Sequence, residues 1–143
     1  MVEPLETLTL SDTVRQAMVN HALAGLPNEA CGLFSGAPGG TTVDMFHPMV
    51  NAAASPTIYR LDDQEYVTVE RAVDQAGQAV LGVMHSHTHT QAYPSPTDVD
   101  AATPLLASSF FVIVTLKDPD PALRAFRIVD EKITEVQVAA QPG

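Results

Sequence analysis

The chain's 143 residues, 45% hydrophobic and 17% charged, have the composition of a soluble globular protein with a core of its own, and predict one domain over 1–143. Seven Lys and Arg against 17 Asp and Glu leave a formal charge of -10, which repels phosphate backbones and anionic headgroups and argues against nucleic acid and membrane-surface partners. The segment Met1-Val2-Glu3-Pro4-Leu5-Glu6 lacks the basic and apolar regions of a secretory leader, no apolar run approaches the ~20 residues of a membrane span, and the single cysteine, Cys31, suits a reducing compartment; a cytoplasmic protein is expected.

Thr7-Leu8-Thr9-Leu10 alternates as a short strand does, and Ser11-Asp12 caps a helix with Val14, Met18 and either His21 or Ala22 on one face, ending near Gly25-Leu26-Pro27. Cys31 to Ser35 and Thr41 to Phe46 flank the turn Gly36-Ala37-Pro38-Gly39-Gly40 and read as a hairpin. Asn51-Ala52-Ala53-Ala54-Ser55-Pro56 reads as a loop, and Asp62 to Ala76 as a helix with Tyr66, Val69 and Val73 inward, closed by Gly77. Ala79 to Met84 is a short apolar run, a buried strand that ends in His85 and His87. A further helix begins at Pro96. Phe110 to Thr115, Leu123 to Val129 and Ile133 to Val138 read as three consecutive strands, with Asp118-Pro119-Asp120-Pro121 as the first turn, and the end, Gln141-Pro142-Gly143, reads as frayed. The fold class is α/β (α+β), a mixed β-sheet flanked by helices.

The chemistry concentrates between His85 and Asp98. Side chains two apart on a strand share a face, so His85 and His87 can reach one ion while Ser86 points the other way, and the Pro94-Ser95-Pro96 turn returns the chain with Asp98 as a third ligand. Two neutral histidines and one carboxylate are a donor set for catalytic zinc, which leaves the ion positive enough to acidify a water, and the implied chemistry is hydrolysis. A plainer reading stands beside it. Ser95-Pro96-Thr97-Asp98 matches a capping box with Pro at the first helical position, and helix initiation alone accounts for the serine and the aspartate. The three histidines of His85 to His89 also fit a surface histidine cluster or adventitious metal binding. A zinc-dependent base deaminase is ruled out because its paired cysteines need more than one cysteine.

The pattern H-x-H, seven residues, S, two residues, D resembles the metal signature of the JAMM (MPN-plus) metallopeptidases, with His85, His87, Ser95 and Asp98 in place. Upstream, Pro27-Asn28-Glu29-Ala30-Cys31-Gly32-Leu33 is similar to that family's P-x-E-A-C-G-L segment, and Glu29 matches its glutamate. The stretches at 51–56 and 92–99 resemble the small stand-alone bacterial branch, within which the likeness points to peptidases that remove a C-terminal cysteine from a ubiquitin-like sulfur carrier. The resemblance runs roughly from Leu8 to Val129 and implies the JAMM/MPN, cytidine-deaminase-like architecture. It implies one Zn2+ per chain on His85, His87 and Asp98, Glu29 as general base, and the Ser95 hydroxyl as donor to the oxyanion. The implied partner is a carrier with a C-terminal Gly-Gly tail bearing cysteine, since a slim extended tail suits a narrow groove. Another sulfur carrier, a ubiquitin-like conjugate, or a silent binding module on the same scaffold are the alternatives. His89 stands where the pattern asks for no histidine and fits an extra ligand, a pocket residue or, as the favoured reading, a solvated loop residue; Cys31 reads as a packing residue; Arg60 is the candidate cation for a leaving-group carboxylate, beside the plainer reading of a solvated strand-end arginine.

Overall fold

A computed structural model describes residues 6–102 and 108–141 of the chain. Among the described residues eight strands, β1 (Thr7–Leu10), β2 (Cys31–Gly36), β3 (Thr42–Val43), β4 (Met45–Met49), β5 (Ala79–His87), β6 (Phe110–Thr115), β7 (Ala122–Val129) and β8 (Lys132–Ala140), lie in the order β3-β1-β8-β7-β6-β5-β2-β4. Three helices among the described residues, α1 (Asp12–Gly25), α2 (Asp63–Gln75) and α3 (Pro96–Ala101), accompany them. β1 pairs in parallel with β3 and β8, and β5 with β6; the remaining neighbours are antiparallel. The expected mixed sheet flanked by helices is therefore what the chain forms.

Local signals explain most elements. The Ser11 hydroxyl accepts from the Val14 amide to start α1, and Val14, Met18 and Ala22 are its buried residues, spaced at four. Ala22 takes the inward place left open between it and His21, whose Nε2 turns sideways to lie 2.9 Å from the Cys31 carbonyl and 3.0 Å from that of Met49. The Asp62 carboxylate caps α2, Val73 is buried, and Gly77 closes the helix at φ 73°, a left-handed turn open to glycine without penalty.

The sheet separates two apolar layers. On one side Val14, Met18 and Ala22 of α1 pack with Leu8, Phe34, Met84, Val112, Val114 and Ala125. On the other, Leu33, Val83, Phe111 and Ile128 pack beneath Tyr66 and Val69 of α2 and Val99 of α3. A bulge decides which side receives the histidines. Phe34 pairs with Gly82 but Ser35 with Val80, so Leu81 is the extra residue and the alternation of β5 is reset there. Val83, His85 and His87 consequently face the α2/α3 side, and Met84 and Ser86 the α1 side. Gly82 is required at this point: a Cβ would run into the Phe110 carbonyl oxygen and the Phe34 ring.

Three sequence expectations change. The second hairpin arm, read as Thr41 to Phe46, divides at Asp44: Thr42–Val43 joins β1 in parallel, while Met45–Met49 pairs antiparallel with β2. The two ends of the strand order are thus one residue apart in the chain, and the sheet curls until they meet. Val43 and Phe46 both join the α1-side core by this division, which a flat hairpin would not allow. The last strand runs beyond Val138 to Ala140, and Gln141, expected to be frayed, donates its amide to the Leu10 carbonyl at 3.2 Å. Residues 142–143 of that expected frayed end, like residues 1–5 of the segment searched for a leader, lie outside the described residues. No helix among the described residues is long and apolar enough to cross a membrane.

Candidate metal centre and active site

His85 and His87 sit at the end of β5, and α3 brings Asp98 over them. Nε2 of His85 lies 3.1 Å from Nε2 of His87 and 3.1 Å from Asp98 Oδ2, and Nε2 of His87 lies 3.0 Å from the same oxygen. All three residues are buried, at 1%, 3% and 5% exposure. The capping box read from the sequence is also present: Ser95 Oγ accepts from the Asp98 amide at 3.1 Å, and the Ser95 amide donates to Asp98 Oδ2 at 2.9 Å. Cap and donor cluster coexist, because the box is what holds the carboxylate oxygen against the two imidazoles.

The protonation pattern of the donor set suits a cation. His87 Nδ1 faces the Gln91 carbonyl at 2.7 Å, an acceptor only, so that nitrogen carries the hydrogen and Nε2 presents a lone pair. In the neutral ring this lone pair, a second imidazole nitrogen and a carboxylate oxygen then converge within about 3 Å of one another, an arrangement that calls for a proton or a metal cation among them. Metal bonds of about 2.0–2.1 Å in tetrahedral array separate donor atoms by roughly 3.3 Å, close to the spacing found. The three residues fit a zinc-sized cation.

In the metal-free chain a proton takes the cation's place among these atoms. Burial alone would raise the Asp98 carboxyl, but hydrogen bonds from His85 and His87 outweigh it and hold the group well below the usual carboxylate range. Burial lowers His85, with Asp98 only partly opposing, whereas for His87 the bonds to Asp98 and the Gln91 carbonyl overcome burial and raise it.

Glu29, just before β2, is 5% exposed and its Oε1 has no hydrogen-bond partner among the described residues. Burial pushes its carboxyl up to about 7, with His87 opposing and Asp98 adding to the rise. Its backbone is held on both sides. The Glu29 amide donates to the Ser55 carbonyl at 2.9 Å, and Asn51 Nδ2 donates to the Glu29 carbonyl at 3.0 Å. One residue on, the Ala30 amide donates to Ser86 Oγ at 2.7 Å and the Ser86 amide returns to the Ala30 carbonyl at 2.9 Å. Ser86, between the two histidines and pointing to the opposite face, thus anchors the glutamate that faces them.

Glu29, Ser95 and His87 line one cleft of about 140 Å³ with Pro56, Thr57, Thr88, His89 and Thr90. Its rims are tied together where Thr88 Oγ1 donates to the Pro56 carbonyl at 3.1 Å. All five residues singled out for the site are therefore brought to one place. His89 is exposed at the rim, and Cys31 is buried with its thiol pushed by burial to about 12, consistent with packing rather than nucleophilic chemistry. Arg60 is exposed and not among the residues lining the cleft, and its backbone amide donates to Asn51 Oδ1. Sequence reasoning missed Asn51 and Ser86 as organisers and Tyr59, which stacks on His85 with ring centres 4.3 Å apart. The signal at Asn51 was present as an Asn opening an Ala-rich turn, but its partners are distant in sequence.

The model of the prokaryotic homologues of the JAB domain matches residues 11–129. The chain belongs to the prokaryotic JAB family. Among its relatives in that family, the CysO-cysteine peptidase of Mycobacterium tuberculosis is 45% identical over 123 residues, 85% of this chain and 83% of that protein. The desampylase of Haloferax volcanii is 31% identical over 139 residues, covering 94% and 96%. A solved structure from Desulfitobacterium hafniense superposes with a TM-score of 0.86 and 31% identity, covering 95% of this chain and 94% of that one. The JAB-family chain is an enzyme of the peptidase kind, and His85, His87 and Asp98 form a group able to hold a metal.

Proposed function

We propose that this JAB-family peptidase is a zinc enzyme that hydrolyses the amide bond after the Gly-Gly tail of a ubiquitin-like sulfur carrier and releases cysteine, serving cysteine biosynthesis in the cytoplasm. The observation that carries the chemistry is the convergence of three buried donors, His85, His87 and Asp98, beside a buried Glu29 oxygen without a partner. The 45% identity to a CysO-cysteine peptidase supports the substrate.

His85, His87 and Asp98 would hold the zinc. When bound, zinc acidifies water and polarises a carbonyl. Glu29, buried beside the donor trio with an oxygen left unpaired among the described residues, is placed to take a proton from the attacking water and deliver it to the leaving amine. Ser95 accepts from the Asp98 amide through a lone pair and keeps its own O–H, which donates to the carbonyl oxygen as charge develops there. The slim cleft admits an extended tail of small residues and turns away folded chains. The desampylase relative favours a second reading, in which the same site trims another carrier or a ubiquitin-like conjugate.

A carrier ending in Gly-Gly with an added cysteine should lose that cysteine on incubation with the zinc-loaded protein, leaving the C-terminal glycine, as read by intact mass. Cleavage of a different adduct under the same conditions, with the cysteine adduct untouched, would replace the narrow substrate but leave the peptidase standing. Zinc bound with no such substrate cut would instead point to a binding module.

Ser95→Ala separates the serine's two roles. It is expected to lower stability by ~1 kcal/mol through the lost cap and turnover by roughly 10²-fold through the lost donor. Thermal melts and steady-state kinetics on the same preparation check both; a stability loss with turnover intact leaves Ser95 as a cap only.

A further inference from the structure

The two histidines of the metal centre are oriented by different means. His87 is held through Nδ1 by the Gln91 carbonyl at 2.7 Å, the usual arrangement in which a ligand's second nitrogen fixes ring angle and tautomer. His85 has no such bond: its Nδ1 is buried without a partner among the described residues, although Nε2 points at the donor cluster. What lies against the ring instead is Tyr59, stacked at 4.3 Å with the planes 20° apart. Turning the imidazole about its side-chain axis would drive its edge into that face. Tyr59 is itself clamped. Asn51 Nδ2 donates to the carbonyl of Ile58 at 2.9 Å and Asn51 Oδ1 accepts from the amide of Arg60 at 3.0 Å, so both residues flanking Tyr59 hang on one side chain. The ring also packs on the Leu33 and Met49 layer, which gives it a fixed floor.

We infer that Tyr59 is a positioning residue for the metal, its aromatic face replacing the hydrogen bond that His85 lacks. The stack suits the task chemically, because an imidazole that donates to a cation becomes electron-poor and favours an electron-rich ring over its plane. The phenol hydroxyl has no part in this; the ring does. The inference rests on the metal reading above and adds to it the residue that decides how firmly His85 binds.

Zinc affinity, measured by competition with a chromophoric chelator, and the visible absorption of the cobalt(II)-loaded protein test it in the full chain. Tyr59→Phe should match the parent within about twofold and keep its cobalt bands. Tyr59→Leu, which keeps apolar bulk and removes the ring, should bind zinc roughly 10- to 100-fold more weakly and shift those bands, the range typical of a lost orienting partner. A folded Tyr59→Leu with the parent's affinity and spectrum overturns the inference, and so does a Tyr59→Phe as weak as Tyr59→Leu, which would place the effect in the hydroxyl. If the leucine variant does not fold, Tyr59→Met is read in the same way. A parent chain that binds no zinc refutes the metal reading itself, an outcome distinct from either of these.

Discussion

Glu29→Gln is expected to keep its zinc and lose about 100-fold or more in turnover, because an amide of the same shape cannot accept the proton. The substitution touches no member of the donor trio, and the backbone bonds from Glu29 to Ser55 and Asn51 do not involve the carboxyl. Zinc content and kcat on one sample measure the two effects separately, and near-normal turnover would remove Glu29 as the base. The same variant carries a pH signature in the metal-free chain. Folding raises this carboxyl from 4.5 to about 7, so the folded state holds the proton more tightly than the unfolded one. Stability therefore falls as pH rises from about 4.5 to about 7 and stays lower above it. Gln has no proton to lose, so metal-free Glu29→Gln should melt higher than its parent at pH 8 and show no such advantage at pH 4.

His87→Ala is expected to empty the site of zinc and abolish peptidase activity while leaving the fold in place. With it goes the one of the two imidazole donors whose lone pair is fixed by a bond on its other side, at Gln91. The fold should survive because the two apolar layers, rather than the metal, hold the sheet: thirteen of the fifteen buried residues around α1 lie outside β5, and β5 itself is paired along both edges. Elemental analysis and far-UV circular dichroism check the two halves, and chelation of the parent should reproduce the variant. Stoichiometric zinc in His87→Ala would take His87 out of the ligand set.

Much of this site was legible in the residues. Capping chemistry is local, so Ser95 and Asp98 could be read as a helix start from four consecutive residues, and the i, i+2 spacing of His85 and His87 on a strand sets a shared face. Glu29 was legible only through its segment's resemblance to a family pattern, since no short-range rule ties a glutamate before β2 to histidines 56 and 58 positions later. The hairpin expected from Thr41 to Phe46 shows the opposite limit. Its two halves have similar strand propensity, and only the curling of the whole sheet sends Val43 to one end and Phe46 to the other.

By itself the sequence determined whatever depends on neighbours along the chain: the strand and helix periods, the caps at Ser11 and Ser95, the acidic balance, and the donor types for one metal. The tertiary structure alone decided which face those donors share, through the bulge at Leu81, and what surrounds them. Asn51 under Glu29, Ser86 behind it and Tyr59 against His85 act through contacts between segments far apart in the chain. Sequence periodicity carries no record of such contacts, because hydrogen bonds and ring stacking depend on distance in space, and that distance exists only once the sheet has curled and packed.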